Sequence, residues 1–187
     1  MDASTSERLD AEVTVSARRG VEEECARAAA DLLRAAEKRA VTLAIAESLT
    51  GGQVSSSLVE VPGASHVLVG AVVAYAARIK AQVLGVDAAH LERTGPVDRD
   101  VALQMAGGVR HLLGADLGLA TTGVAGPGPA DGYPAGTVHV AVVGPWGEAR
   151  RELHLGGDRS QIRYGAVLNV IELAVGYLCE EGGEAWS

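Results

Sequence analysis

Apolar positions along the chain follow two spacings, which predict alternating strands and helices. Continuous apolar runs such as VTLAIA (41–46) and DLGLATTG (116–123) are typical of buried strands. From Ala17 to Ala40 the apolar residues instead recur at helical spacing, which predicts a helix with one buried face. Strands that alternate with helices favour parallel pairing in a sheet covered on both faces.

The same two spacings and the turn residues between them predict the remaining elements. Strands are predicted at 67–75, 137–144 and 148–155, helices at 50–61, 76–86, 88–95, 98–113 and 159–178, and an irregular loop at 124–136. The turn between the last two strands is so short that they must pair antiparallel. We therefore expect a single three-layer α/β/α domain with a mixed sheet of about five strands, one of them antiparallel.

This domain is predicted to span residues 16–180, since a chain of 187 residues suits one full core. Residues 1–15 are polar and acidic without the apolar core of a signal peptide, and they predict a disordered tail. Residues 181–187 are predicted as a C-terminal tail. The longest apolar run, 67–77, has about half the length that a membrane-spanning helix needs. We expect a soluble cytoplasmic protein that does not bind membranes.

Charge and composition limit the classes of molecule that the protein is expected to bind. The net charge is −8 and Phe is absent, so the basic patch and stacking aromatics of a nucleic-acid-binding protein are missing. Cys25 and Cys179 are far apart and form no metal-ligand spacing, so we expect reduced thiols, no metal and no cofactor. A small anionic ligand remains compatible with the net charge, because local N–H groups and arginines can bind it.

The segment A-E-S-L-T-G-G (46–52) lies where a buried strand gives way to a helix. Ligands of α/β domains gather at such strand ends. Ser48 and Thr50 offer hydroxyl groups there, and Gly51 and Gly52 offer N–H groups that suit a phosphate or an oxyanion. Two interpretations remain open: Ser48 is a nucleophile or ligand contact, or Ser48 or Thr50 merely caps the helix.

A serine nucleophile needs a base, and no histidine has an evident partner in the sequence. Lys80 follows the second apolar strand, where burial would move its pKa from ~10.4 toward ~7–8. Tyr75, at the end of that strand, would orient it. The alternative for Lys80 is a surface residue with an apolar stem.

Two more segments carry candidate ligand contacts. T-T-G-V-A-G-P-G-P (121–129) follows the third long strand, and it is either a binding loop or a plain connector. G-G-D-R-S-Q-I-R (156–163) sets two arginines four residues apart, either as a phosphate site or as a solvated pair bonded to Asp158. Together the segments predict an anionic pocket of mononucleotide size, with contacts from Thr122, Gly123, Gly126, Arg159 and Arg163.

The ordered motifs A-E-S-L-T-G-G, Y-A-A-R-I-K-A-Q-V-L-G-V, T-T-G-V-A-G-P and G-D-R resemble one known family. It is the C-terminal domain family of the competence-damage-inducible protein, and the resemblance covers residues 24–178. Characterised members are nicotinamide-nucleotide amidohydrolases, which convert nicotinamide mononucleotide to nicotinic acid mononucleotide and ammonia. Larger members carry a further N-terminal domain for which this chain has no room, so the resemblance implies the stand-alone form.

The resemblance also implies roles. Ser48 would be the nucleophile of a Ser–Lys amidohydrolase, Lys80 its base and Tyr75 the tyrosine of the same motif. By the same resemblance, Thr122 matches the threonine ahead of the family's G-x-A-G-P loop, and Arg163 matches the arginine that would bind the substrate phosphate. The full predicted binding set is Thr50, Gly51, Gly52, Thr122, Gly123, Gly126, Arg159 and Arg163. The apolar helices favour a homodimer.

The sequence departs from the family pattern in three places. Ala76 and Ala77 replace a serine and an asparagine, Asp98 replaces a serine, and the loop G-P-G-P-A-D-G-Y-P replaces a G-P-x-G-G run. Two alternatives to the amidohydrolase therefore stay open: a catalytically impaired module that binds a mononucleotide or a partner protein, and an amidase for another small carboxamide.

Overall fold

A mixed five-stranded sheet forms the centre of the fold in this computed structural model, which describes residues 3–179, with side chains from Gly20 onward. The strands are β1 (Leu43–Glu47), β2 (Leu68–Val73), β3 (Leu117–Gly123), β4 (Thr137–Gly144) and β5 (Gly147–His154). Their order is β2-β1-β3-β4-β5, with β1 parallel to β2 and β3. β4 runs antiparallel to both β3 and β5 and is the one antiparallel strand, as predicted.

Helices cover both faces of the sheet, which confirms the predicted α/β/α layers. The α-helices of residues 3–179 are α1 (Ala3–Arg39), α2 (Gln53–Val59), α3 (Ala77–Leu84), α4 (Ala88–Thr94), α5 (Arg99–Leu113) and α6 (Arg159–Cys179). Buried residues of α1, α2 and α6 form one apolar core with the sheet, and those of α3 and α5 form a second core on its other face. The aliphatic cores reflect the scarcity of aromatic residues in the sequence.

Helix α1 begins at Ala3 and not at Ala17, so its backbone includes most of the predicted disordered tail at 1–15. Residues 3–16 contain neither Pro nor Gly, and nothing in their composition interrupts a helix. The predicted tail at 181–187 lies outside the described residues. Among the described helices, α6 is long and apolar enough to span a membrane, but half of that stretch is buried in the fold, as in the core helix of a soluble protein.

The segment predicted as an irregular loop, 124–136, contains a tight hairpin. The amide of Ala130 donates to the Tyr133 carbonyl at 3.0 Å, and the Tyr133 amide donates back at 2.9 Å. Between them Asp131 and Gly132 have φ angles of 51° and 82°. An Asp-Gly pair with both φ angles positive forms the two-residue turn that suits a β-hairpin. The hairpin holds Asp131 at a defined place beside the strand ends.

Candidate active site

A buried carboxylate fixes the turn between β1 and α2. Glu47, the last residue of β1, is fully buried. Its carboxylate accepts hydrogen bonds from the amides of Gly52, Val54 and Ser55 at 2.8, 3.1 and 2.9 Å, and from the Ser55 hydroxyl at 2.8 Å. The negative charge therefore lies at the N-terminus of α2, where unpaired N–H groups stabilise it. Sequence patterns for helix caps do not predict this role of Glu47.

The amides of Gly51 and Gly52, which were predicted to bind an anion, have partners within the turn. The Gly52 amide donates to Glu47, and the Gly51 amide donates to the Ser48 carbonyl at 3.1 Å. The expectation that these two amides are free for an anion is wrong, because groups of the same turn already occupy them. Gly52 is the N-cap residue of α2, with φ 99° and no side-chain cap of its own. The interpretation that Ser48 or Thr50 caps the helix is wrong as well, since Glu47 fills that role.

Two further contacts hold the turn from outside. Arg163 of α6 donates from Nε to the Leu49 carbonyl at 3.0 Å and from Nη2 to the Thr50 carbonyl at 2.6 Å. The Thr50 hydroxyl, which is fully buried, pairs with the Thr121 hydroxyl at 2.8 Å. The side chains of Arg163 and Thr50 are thus used in hydrogen bonds within the fold. Neither lines the cavity described next, although both were predicted to bind substrate.

A cavity of about 210 Å³ opens at the carboxyl ends of β1 and β3. Ser48 lies on its wall with 8% of its surface exposed, and its amide donates to the Thr121 carbonyl at 3.0 Å. Within residues 20–179 its hydroxyl has no hydrogen-bond partner, so it is available to a ligand. Of the predicted site residues, the cavity brings together Ser48, Tyr75, Thr122, Gly123, Gly126 and Arg159.

Arg159 and Thr122 contribute opposite kinds of polar group to this cavity. Arg159, at the start of α6, donates from Nη1 to the Gly126 carbonyl at 2.6 Å and from Nη2 to the Tyr75 hydroxyl at 3.4 Å. The Thr122 hydroxyl donates to the Pro96 carbonyl at 2.6 Å. Its proton is therefore used, and Thr122 can only accept a hydrogen bond from a ligand. Arg159 is the cation on the wall, and Arg163 is not.

Lys80 is fully buried on α3, so the alternative of a surface lysine is wrong. Its Nζ donates to the Ala74 carbonyl at 3.0 Å. Burial lowers the pKa of Lys80 from 10.5 to about 8, and the charge of Asp131 opposes this shift only in part. The Ala74 amide in turn donates to the Glu47 carbonyl at 2.8 Å. The Lys80 amine is thus connected by these hydrogen bonds to the residues that precede Tyr75 and Ser48. Its pKa is that of a group that loses its proton near neutrality.

Asp98, a departure from the family pattern, has a structural role. It is the N-cap of α5, where its Oδ1 accepts from the amides of Asp100 at 2.9 Å and Val101 at 3.1 Å and lies 2.9 Å from His90 Nε2. Burial alone would raise the pKa of Asp98, but these hydrogen bonds outweigh it and lower the pKa. Asp98 does not line the cavity. The Asp100 carboxylate lies near the same pair and 3.6 Å from Arg150 Nη1.

Asp98→Ser should leave turnover within about twofold, because serine also caps a helix and the cavity does not change. Loss of the His90 contact should lower the free energy of unfolding by about 1 kcal/mol. The stability that Asp98 adds is present at neutral pH and is lost as the pH falls through the lowered pKa of this group. Steady-state turnover and thermal unfolding at pH 7 and under acidic conditions measure both effects. A large loss of turnover in a folded Asp98→Ser variant would contradict the structural role.

Ala76 and Ala77 also lie outside the cavity wall, whereas residues 126–131 of the departing G-P-G-P-A-D-G-Y-P loop line it. Ala76 is the N-cap of α3 and has no side-chain bond to the helix, and Ala77 begins that helix. A serine at the position of Ala76 would cap α3. The two alanines therefore remove a potential helix cap and leave the lining of the cavity unaltered.

Comparison with known proteins identifies the family of this architecture. The family model of the CinA C-terminal domain matches residues 12–178. The chain belongs to the CinA family. It is 48% identical over 136 residues to a CinA-like protein of Frankia casuarinae, covering 73% of this chain and 31% of that protein. With a CinA-like protein of Gloeobacter violaceus it shares 44% identity over 165 residues, 84% of this chain and 38% of the relative.

Solved structures of the CinA superfamily have the same fold. A superfamily protein of Klebsiella pneumoniae matches with a TM-score of 0.79 and 29% identity, over 82% of this chain and 97% of that one. The competence/damage inducible protein CihA of Agrobacterium tumefaciens matches with a TM-score of 0.75 and 33% identity, over 83% and 94%. This CinA-family chain spans about a third of the length of the two curated relatives and nearly all of the two solved chains.

Proposed function

We propose that this CinA-family protein hydrolyses the carboxamide of nicotinamide mononucleotide to nicotinic acid mononucleotide and ammonia. The observation that carries the proposal is Lys80, a fully buried lysine whose pKa is lowered to about 8. Its Nζ bonds to the residue before Tyr75, and Tyr75 shares a cavity wall with Ser48. A serine amidase requires a serine hydroxyl that is free to react and an amine that loses its proton readily, and Ser48 and Lys80 supply these two groups.

In the proposed reaction the Ser48 hydroxyl oxygen attacks the carboxamide carbon, and the hydroxyl proton passes to neutral Lys80, directly or through Tyr75. The C–N bond of the tetrahedral intermediate then breaks, and the protonated Lys80 returns the proton to the leaving ammonia. Water attacks the resulting acyl-enzyme with Lys80 again as base, which releases the carboxylic acid and frees Ser48.

The oxyanion of this intermediate needs N–H donors other than Gly51 and Gly52, whose amides are occupied. The amides of Leu49 and Thr50 donate to no acceptor within residues 20–179, and Leu49 lines the cavity. An amide next to the nucleophile is well placed to stabilise charge that develops on the substrate oxygen. The substrate phosphate is assigned to Arg159, the described cation on the cavity wall.

The direct test is ammonia release from nicotinamide mononucleotide by the purified protein, with nicotinic acid mononucleotide formed in equal amount. Free nicotinamide is the matched control, because it has the same carboxamide but no phosphate for Arg159. We expect release from the mononucleotide and much less from nicotinamide. A folded protein that releases ammonia from neither compound would contradict the proposed function.

The pH dependence of turnover should show Lys80 as a base. Since a base must be unprotonated, kcat/KM should rise with pH and level off above an apparent pKa of about 8. Lys80→Met should remove this activity, whereas Lys38→Met, on the exposed surface of α1, should leave the profile unchanged. A wild-type profile that is flat between pH 6 and 9, or that falls as the pH rises, would contradict this role.

The alternative of an impaired binding module rests on Ala76, Ala77 and Asp98, none of which lines the cavity, and binding of the mononucleotide without ammonia release would favour it. The predicted cytoplasmic location and homodimer stay predictions. Activity on another small carboxamide is measured by the same ammonia assay with other substrates.

A further inference from the structure

One carboxylate lies on the cavity wall, and the proposed reaction does not use it. Within the part of the chain whose side chains are described, Asp131 is the only acidic residue that lines the cavity. The Asp-Gly hairpin fixes its backbone, with a φ angle of 51°. Its charge acts on Lys80, where it partly opposes the effect of burial on the pKa. Asp131 therefore lies on the cavity wall with Ser48, and its charge reaches Lys80.

The cavity has a positive side as well. Among residues 20–179, Arg159 is the only lysine or arginine that lines it, and the bonds to the Gly126 carbonyl and the Tyr75 hydroxyl hold its guanidinium in place. One anion and one cation thus share a space of about 210 Å³. A purely anionic ligand would be repelled by Asp131, and a purely cationic one by Arg159. A ligand that carries both charges matches the two walls.

We propose that Asp131 makes this site specific for a carboxamide whose aromatic ring carries a positive charge, while Arg159 binds the anionic group of the same molecule. The chemical class is an N-glycosylated pyridinium phosphate, and the inference rests on the proposed function. In that class the carboxamide is attached to the cationic ring, so Asp131 on one side and Ser48 on the other orient the reacting group.

The same contact favours the reactive state of the base. Protonated Lys80 and a pyridinium ring are both positive, so they repel each other beside Asp131. When the cationic ring binds, its charge neutralises that of Asp131, so Asp131 no longer favours the protonated form of Lys80. The substrate thereby promotes the neutral amine that accepts the Ser48 proton. A neutral ring would leave the charge of Asp131 to favour protonated Lys80.

Ring charge can be changed while the carboxamide and phosphate stay the same. Nicotinamide mononucleotide has a cationic ring, and its reduced dihydropyridine form has a neutral one. Both should be titrated by calorimetry into Ser48→Ala protein, which cannot turn them over, with and without Asp131→Asn. We expect Ser48→Ala protein to bind the cationic form about fivefold more tightly, and we expect Asp131→Asn to remove the preference by weakening that form alone.

The substitution and its control are matched to the fold. Asparagine also adopts the left-handed conformation, so Asp131→Asn keeps the hairpin. Asp158→Asn is the control, because Asp158 is an exposed acid next to Arg159 that does not line the cavity. Asp158→Asn should leave the preference for the cationic form unchanged. Added salt should reduce the preference, as expected for a charge contact near solvent.

The possible results separate the two proposals. Three results would overturn the role of Asp131 and leave the amidohydrolase proposal standing. They are equal affinity for both forms, a preference that survives Asp131→Asn, and an equal loss of affinity for both forms in that variant. A folded Ser48→Ala protein that binds neither form would overturn the substrate class and the role of Asp131 together.

Discussion

Ser48→Ala is expected to lower turnover of nicotinamide mononucleotide at least ~10³-fold while the dissociation constant changes little. The hydroxyl has no hydrogen-bond partner within residues 20–179, so its removal breaks no contact of the fold. The loss should therefore appear in kcat, because the hydroxyl forms a bond only during the reaction. Single-turnover kinetics and calorimetric binding to the same preparation separate the two quantities.

Ser56→Ala is the matched control for this experiment. Ser56 is an exposed serine on α2, one turn past the turn that carries Ser48, and it does not line the cavity. It should retain full activity. Ammonia release by Ser48→Ala at the rate of the parent protein would eliminate a covalent serine mechanism, whatever the affinity for the substrate.

Glu47→Gln should be the most destabilising of the substitutions considered. The carboxylate accepts four hydrogen bonds, two at each oxygen. Glutamine keeps the shape but turns one acceptor into an NH₂ group, which then faces donors in a buried site. Leaving buried donors unpaired and removing the charge at the helix N-terminus should cost about 3 kcal/mol in the free energy of unfolding, or a fall of roughly 10 °C in Tm.

Glu60→Gln is the comparison, since Glu60 is an exposed acid at the other end of the same helix. Its Tm should stay within about 1 °C of the parent value, because surface substitutions have small effects. Below the transition of the Glu47→Gln protein, kcat should also fall, because the Ser48 turn loses its anchor. An unchanged Tm for Glu47→Gln would show that Glu47 does not hold the turn.

The sequence predicted the fold well because the evidence for it is local. Buried strands appear as short continuous apolar runs, and the two-residue turn before β5 leaves only antiparallel pairing for β4. The sequence predicts that α2 begins at Thr50, but the helix begins at Gln53, because the cap comes from a strand side chain and not from a serine or threonine of the turn. Sequence patterns for helix caps do not include that geometry.

The site was harder to predict because its contacts join distant parts of the chain. Arg159 and Arg163 are four residues apart and were both assigned to phosphate. One lies on the cavity wall, and the other reaches the carbonyls of Leu49 and Thr50, more than a hundred residues away in sequence. Helical spacing shows that two side chains share a face, but not what each one meets there. Asp131 was missed because an Asp-Gly pair in a loop is ordinary turn chemistry until the hairpin is placed beside a cavity.

The buried Lys80 also affects how the whole protein responds to alkali. Its folded pKa of about 8 lies below the ordinary value of 10.5, so the unfolded chain holds more protons between these limits and stability rises with pH across that interval. At neutral pH this residue therefore costs the folded state roughly 3 kcal/mol relative to a neutral side chain of the same size. Selection for stability alone would replace it. If Lys80 is the proposed base, a lineage that no longer needs that base should lose this lysine before it loses the fold.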